Sequence, residues 1–278
     1  MKGKPLIFCA TYQVNGQDQA RPETLAAINA IEGDFDFVLG RFNPYRHGHM
    51  NILHQYQQAR KITLEGGYSH LLSIEHDMLP PPSTLDLMLQ AGAQVVYGVY
   101  LLRHGSKVLN TWRKVNSSYL GMSMDLFPDE LAQARAQVIA EVSGVGLGCT
   151  MISNDVLQRF DFHPSENSIN SQVPDVAFAT DCLRAGIKQV AHFEIICGHI
   201  EPSGNILWPF NGGINHMAKY LVLKSVNAPG GLALIEGQEI EIPEGVAREL
   251  ERAGYIKFAA AKKTTSKSTK KVTEPVEK

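Results

Sequence analysis

At 278 residues and 44% apolar content, the chain is large enough for one large domain, or one domain with an appendage. A formal net charge of −2 gives no electrostatic reason for nucleic acid to be the main partner. No apolar run approaches the ~20 residues of a membrane helix, so no membrane span is expected.

In chain order, "PLIFCAT" reads as a first core strand and not as an export signal. "RPETLAAINAIEG" predicts a helix with Pro22 in its first turn and Gly33 past its end. "FDFVLG" is the next strand. "HMNILHQYQQARKITLEGG" predicts a longer helix, with Ile52, Tyr56, Ala59 and Thr63 at helical spacing and a glycine pair closing it. "HLLSIEHD" (strand), "STLDLMLQAG" (helix, capped by Ser83) and "AQVVYGVYLL" (strand) follow. Farther on, "GCTMISN" is a strand, "DVAFATDCLRAG" a helix, and "KQVAHFEIICGHI" a strand ending in Gly198-His199. Such alternation predicts an α/β layered domain with a mainly parallel sheet, up to about residue 218.

Residues 219–260 have a different texture. "LALIEG" and "QEIEIP" flank a turn, and a short amphipathic helix "EGVARELERAG" follows, so the segment reads as a small separate module. Residues 261–278, rich in Lys and Thr and without apolar periodicity, read as a disordered tail. Cys9, Cys149, Cys182 and Cys197 are scattered without a CxxC pair, a pattern that suits reduced, buried thiols and a cytoplasmic location.

Ligand sites in layered α/β domains gather at the carboxyl ends of strands. Two chemically promising groups fall there. Glu75-His76-Asp77 ends an apolar run and is followed by three prolines. In an extended strand Glu75 and Asp77 would converge while His76 points away. Paired carboxylates suit a hard divalent cation such as Mg²⁺ or Mn²⁺ and its phosphate ligands, although acids also end strands simply because strands end at water. His199 ends a strand more than a hundred residues later, and a neutral imidazole is a common further ligand.

"HLLSIEHDMLPPPSTLDLML" followed by "AQVVYGVYLLR" resembles the DxD region of GT-A-fold glycosyltransferases of the family 2 type. "VSGVGLGCTMISNDVLQRF" is similar to the small-residue stretch on that family's acceptor side. "PDVAFATDCLRAGIKQVAHFEIICGHI" resembles its acid-bearing helix and terminal-His strand, so the resemblance spans roughly residues 5–200. The first acid here is Glu, and the later helix opens on the single carboxylate of Pro174-Asp175. The resemblance implies a Rossmann-like mixed sheet flanked by helices over residues 1–218 and a UDP- or GDP-sugar donor. It implies Glu75, Asp77 and His199 as ligands of Mn²⁺ or Mg²⁺, with Glu75 and Asp77 also holding the donor phosphates. Asp175 is the implied general base toward an acceptor of unidentified class, and Thr11 and Tyr12 lie where the family holds the nucleotide base. The loop with Arg46, His49 and Asn51 would border the donor pocket. The 219–260 module, similar to short segments of phage-type proteins, and the basic tail are candidates for docking a partner.

Two other readings stay open. "GRFNPYRHGH" resembles the GRFxPxHxGH signature of nucleotidylyltransferases, with Arg46 where its first histidine would stand and His47 displaced by one. His47 and His49, with His54 nearby, also form an HxH pattern of the kind that ligates metals. A third possibility is a GT-A-shaped binding or structural protein without catalysis. Arg103 and His104, after "VVYGVYLL", are plausible donor or acceptor contacts, and Trp112 and Trp208 are candidates to stack on a sugar. "GVGLG" at 144–148 lacks the Lys-Ser/Thr of a phosphate loop and is given no phosphate role.

Overall fold

The computed structural model of the chain describes residues 3–14, 17–43, 49–103, 107–117, 120–144, 146–164, 174–210, 217–223, 225–228, 232–243 and 256–258. Its strands run β1 Leu6–Cys9, β2 Tyr12–Val14, β3 Gln17–Gln19, β4 Asp36–Leu39, β5 His70–Ile74, β6 Met78–Leu79, β7 Val95–Val99, β8 Trp112–Arg113 and β9 Ile139–Gly144. They continue with β10 Cys149–Ser153, β11 Gln189–Ile196, β12 Gly198–Ile200, β13 Ile206–Leu207, β14 Met217–Val222, β15 Val226–Ala228, β16 Leu232–Leu234, β17 Glu239–Pro243 and β18 Ile256–Phe258. The helices are α1 Pro22–Asn29, α2 His49–Glu65, α3 Thr84–Gln90, α4 Pro128–Gln137, α5 Asn154–Arg159 and α6 Pro174–Arg184.

Eight strands form one sheet in the order β4-β1-β5-β10-β7-β11-β9-β8. It is mixed, as the family resemblance implied, and not mainly parallel as the strand–helix alternation suggested. The pairs β4–β1, β1–β5 and β7–β11 are parallel, whereas β10 is antiparallel to both β5 and β7, and β9 to both β11 and β8. β9 and β10 do not pair with each other; they run in one direction, against the other strands of the sheet.

The alternation of side chains sorts the core into two layers. Leu6 and Phe8 of β1 face one side and pack with Leu53, Tyr56 and Ala59 of α2, Val156 and Leu157 of α5 and Phe178 of α6. Ile7 and Cys9 face the other side with Ile28 of α1 and Leu85 and Met88 of α3. Each fully buried Leu, Ile or Phe contributes roughly 1.5–3 kcal/mol. The helices therefore flank the sheet on both faces, and all four cysteines are buried free thiols.

Most predicted elements stand where the sequence put them. Ser83 does precede α3, but its side chain makes no capping bond; Thr84 Oγ1 bonds the Pro81 carbonyl at 2.6 Å instead. α4, β8 and β9 carried no sequence assignment. "KQVAHFEIICGHI" is not one strand: it breaks at Cys197, and Gly198–Ile200 leaves for a second sheet, β13-β12-β6. Beyond residue 216, β14 pairs with β17 and β18, and β15 with β16, so the strands in "LALIEG" and "QEIEIP" pair with other strands and not with each other. The predicted helix at 244–254 and the tail at 261–278 lie outside the described residues. No helix among the described residues is long and apolar enough to cross a membrane.

Candidate functional site

β5 stops at Ile74, and the acids it was expected to carry lie in the tight turn that follows. The Met78 amide donates to the Glu75 carbonyl at 3.1 Å, which closes that turn. β6 then pairs with β12 in the register Met78↔His199 and Leu79↔Gly198, and the Ile200 amide donates to the Asp77 carbonyl at 2.8 Å. This pairing brings a turn near residue 76 against a histidine more than a hundred residues away.

Asp77 is buried and has three basic neighbours. Arg103 forms an ion pair with Oδ2, His76 Nε2 stands 3.3 Å from the same oxygen, and His199 Nε2 stands 3.6 Å from Oδ1. Neither carboxylate oxygen has a partner in hydrogen-bonding geometry, and neither has His199 Nε2. Burial is the largest influence on the Asp77 carboxyl and pushes its pKa up. The combined pull of His199, His76 and Arg103 outweighs that and holds it below 3.8. His76 was expected to face away from the site. The turn geometry instead leaves it beside Asp77, with its ring 4.5 Å from that of Tyr12 and its pKa lowered mainly by burial.

His199 Nδ1 lies 2.7 Å from the Leu101 carbonyl. A carbonyl only accepts, so Nδ1 carries a proton and Nε2 is turned toward the Asp77 carboxylate. A carboxylate oxygen and an imidazole nitrogen 3.6 Å apart are a donor pair that a divalent ion can join. The residues therefore fit a hard divalent ion of the kind bound by one or two protein donors, with phosphate and water completing its shell. Glu75 does not join as a third donor: among the described residues no group of three or more His, Cys, Asp or Glu is placed to hold a metal.

Glu75 is engaged differently. Tyr56 Oη stands 3.2 Å from both Glu75 Oε1 and the Leu147 carbonyl, and the Glu75 amide donates to the Gly148 carbonyl at 2.9 Å. Burial first, then the charges of Asp77 and Asp175, raise the Glu75 carboxyl to about 7 against the opposing pull of His199 and Arg103. A protonated Glu75 can donate to Tyr56 while Tyr56 donates to Leu147, which satisfies every proton in that chain.

The 144–148 stretch backs this wall. The Gly148 amide donates to Tyr100 Oη at 3.1 Å, and Ser73 Oγ donates to the Leu147 carbonyl at 2.7 Å. A methyl group at Gly146 would stand 2.4 Å from Tyr100 Oη and 3.4 Å from Asp175 Oδ2, so glycine is what lets the three segments meet. Asp175, in the first turn of α6, thus reaches the same site. It lines a cavity of about 140 Å³ together with Leu102, Asn110, Trp112 and Val176.

The remaining predicted residues are placed less centrally. Thr11 is buried and held by Gln55: its amide donates to Gln55 Oε1 at 2.8 Å, and its hydroxyl donates to the Gly40 carbonyl at 3.0 Å. Asn51 is also buried, and its side-chain amide donates to the Asn43 carbonyl at 2.8 Å, which ties the end of one loop to α2. Trp208 covers Gly198. Arg46, His47 and His104 lie outside the described residues, as does the side chain of His49. Tyr56, Tyr100 and Gln55 were not singled out as site residues. Tyr56 carried a signal, but its place in the apolar stripe of α2 reads as core.

No family model matches the chain, and no curated protein matches it. Solved structures similar to it include the crystal structure of A197 from STIV, at 18% identity over 77% of this chain and 98% of that one, with a TM-score of 0.46. They also include apo UDP-glucose pyrophosphorylase, at 10% identity over 57% of this chain and 55% of that one, with a TM-score of 0.31. Likeness at these scores carries no argument about what the chain does.

Proposed function

We propose that the chain is a metal-dependent glycosyltransferase of GT-A type, moving a sugar from a nucleoside-diphosphate donor to an acceptor hydroxyl. One observation carries this reading: Glu75 and Asp77 in one turn, Asp175 at the start of α6 and His199 in β12 come from three separate stretches of the chain yet gather at the carboxyl end of β5. Asp77 and His199 would hold the cation, which supplies positive charge against the diphosphate that leaves. Asp175 stands across the site, beside an apolar cavity with an indole wall that suits the carbon-rich face of a sugar. In this reading it takes the proton of the attacking hydroxyl. Tyr56 and Tyr100 are both raised well above 10, chiefly by burial, so they stay neutral and position Glu75 and the Gly146–Gly148 backbone.

The test is thermal unfolding with Mn²⁺ plus UDP, GDP or CMP, set against ATP. Saturating one nucleoside diphosphate with Mn²⁺ at 100 times its Kd should add about 2.7 kcal/mol. Asp77→Asn should abolish that gain. Equal stabilisation of both proteins, or stabilisation by ATP alone, would contradict the assignment.

A further inference from the structure

Asp77 is the buried acid that the proposed cation would need, and it already has a cation. Arg103 reaches it from the arm that leaves β7. That arm is well anchored at its base: Leu102 N donates to the Val108 carbonyl at 2.9 Å, Leu101 bridges Leu109, and the Asn110 amide donates to the Tyr100 carbonyl at 3.0 Å. Arg103 lies just past these bonds. The same arm supplies the carbonyl of Leu101 that fixes the His199 ring, and its Lys107 pairs with Glu201 at 3.0 Å. One short segment therefore controls both the orientation of His199 and the charge state around Asp77.

The Arg103–Asp77 contact lacks the forked geometry that makes arginine–carboxylate pairs strong. Asp77 Oδ2 has no partner in hydrogen-bonding geometry, and Arg103 Nε is buried without one. The guanidinium is held there by charge. A divalent cation between Asp77 and His199 would repel it from a few ångströms away. A guanidinium released at that point is a ready-made ligand for a phosphate oxyanion, which it can grip through two parallel N–H groups.

We infer that Arg103 is a tethered stand-in cation: it neutralises Asp77 until a divalent ion displaces it, and once displaced it binds the anionic ligand beside that ion. The two ligands are then coupled in a fixed order, cation first and anion second. This inference rests on the glycosyltransferase reading only for the presence of a divalent-cation site at Asp77. It makes Arg103 an anion-binding residue whose removal has opposite effects on the two ligands.

The experiment measures Mn²⁺ affinity by electron paramagnetic resonance on wild type, Arg103→Ala, Arg103→Gln and Asp77→Asn. Inorganic pyrophosphate affinity at saturating Mn²⁺ is then measured by calorimetry. Each Arg103 variant should bind Mn²⁺ about tenfold more tightly and pyrophosphate about tenfold more weakly, with Asp77→Asn losing Mn²⁺ altogether. Arg103→Gln keeps the stem of the side chain, so agreement between the two variants separates the loss of charge from a folding defect. Mn²⁺ affinity that is unchanged or weakened in both variants, with Asp77→Asn still defective, overturns the competition and leaves the function standing. Mn²⁺ binding that survives in Asp77→Asn, or is absent from every protein, overturns both.

Discussion

Two carboxylates in one turn, separated by a single residue, occupy opposite electrostatic regions. Around Asp77 are Arg103, His76 and His199, and the carboxyl is held below 3.8. Around Glu75 are Tyr56, two backbone carbonyls and the charges of two further acids, and the carboxyl rises to about 7. The difference comes from what the fold delivers to each side. The β6–β12 pairing and the arm after β7 bring bases to Asp77, whereas α2 and the 146–148 backbone bring neutral donors and acceptors to Glu75. The first region gathers basic groups around one ionised carboxylate, and under the proposed function it holds the cation. The second holds a proton and braces the wall behind it.

The largest effect is expected where that wall is tightest. Gly146→Ala would drive a methyl group into Tyr100 Oη at 2.4 Å, and Tyr100 is 3% exposed with little room to yield. Overpacking of this kind should cost about 3 kcal/mol in chemical denaturation. Under the proposed function it should also remove transfer activity by displacing Asp175. Unchanged stability would show that the three segments are not packed as described.

A smaller, pH-dependent effect separates the two acids. The native state keeps the Glu75 proton up to about pH 7, while the unfolded chain releases it near 4.5. Native Glu75 binds more protons over that window, so the metal-free wild type should lose stability relative to Glu75→Gln as the pH rises from about 4.5 to 7. The two stabilities should diverge through that window and the difference should level off above about pH 7. Denaturation curves of the two proteins at several pH values measure it, and a constant offset across that range would contradict the protonated state of Glu75.

The layered α/β core was legible because its signals are local. The apolar strands, the Gly33 and Gly66-Gly67 stops and the stripe of α2 each declare themselves within a dozen residues. The acid turn was legible for the same reason. Its geometry was not, since the strand ends one residue before Glu75 and the turn rotates His76 back toward Asp77. β6 and β12 are two and three residues long, too short for any period to show, and only their pairing explains why Asp77 meets His199. Tyr56 and Tyr100 were hidden by their own hydrophobicity. A buried tyrosine reads as packing until its hydroxyl partner is known, and here the partners are 19 to 91 residues away. The mixed order of the sheet came from the family resemblance and not from the alternation of elements, because strand direction leaves no local signal in β9 or β10.

The most direct measurement is the anomalous difference density at the manganese edge from crystals grown with Mn²⁺ and UDP or GDP. The account predicts one strong peak between the Asp77 carboxylate and His199 Nε2, with the diphosphate on its open side and Arg103 turned away from Asp77 toward the phosphates. A diphosphate bound elsewhere, or crystals saturated with Mn²⁺ that show no peak at Asp77, would contradict it.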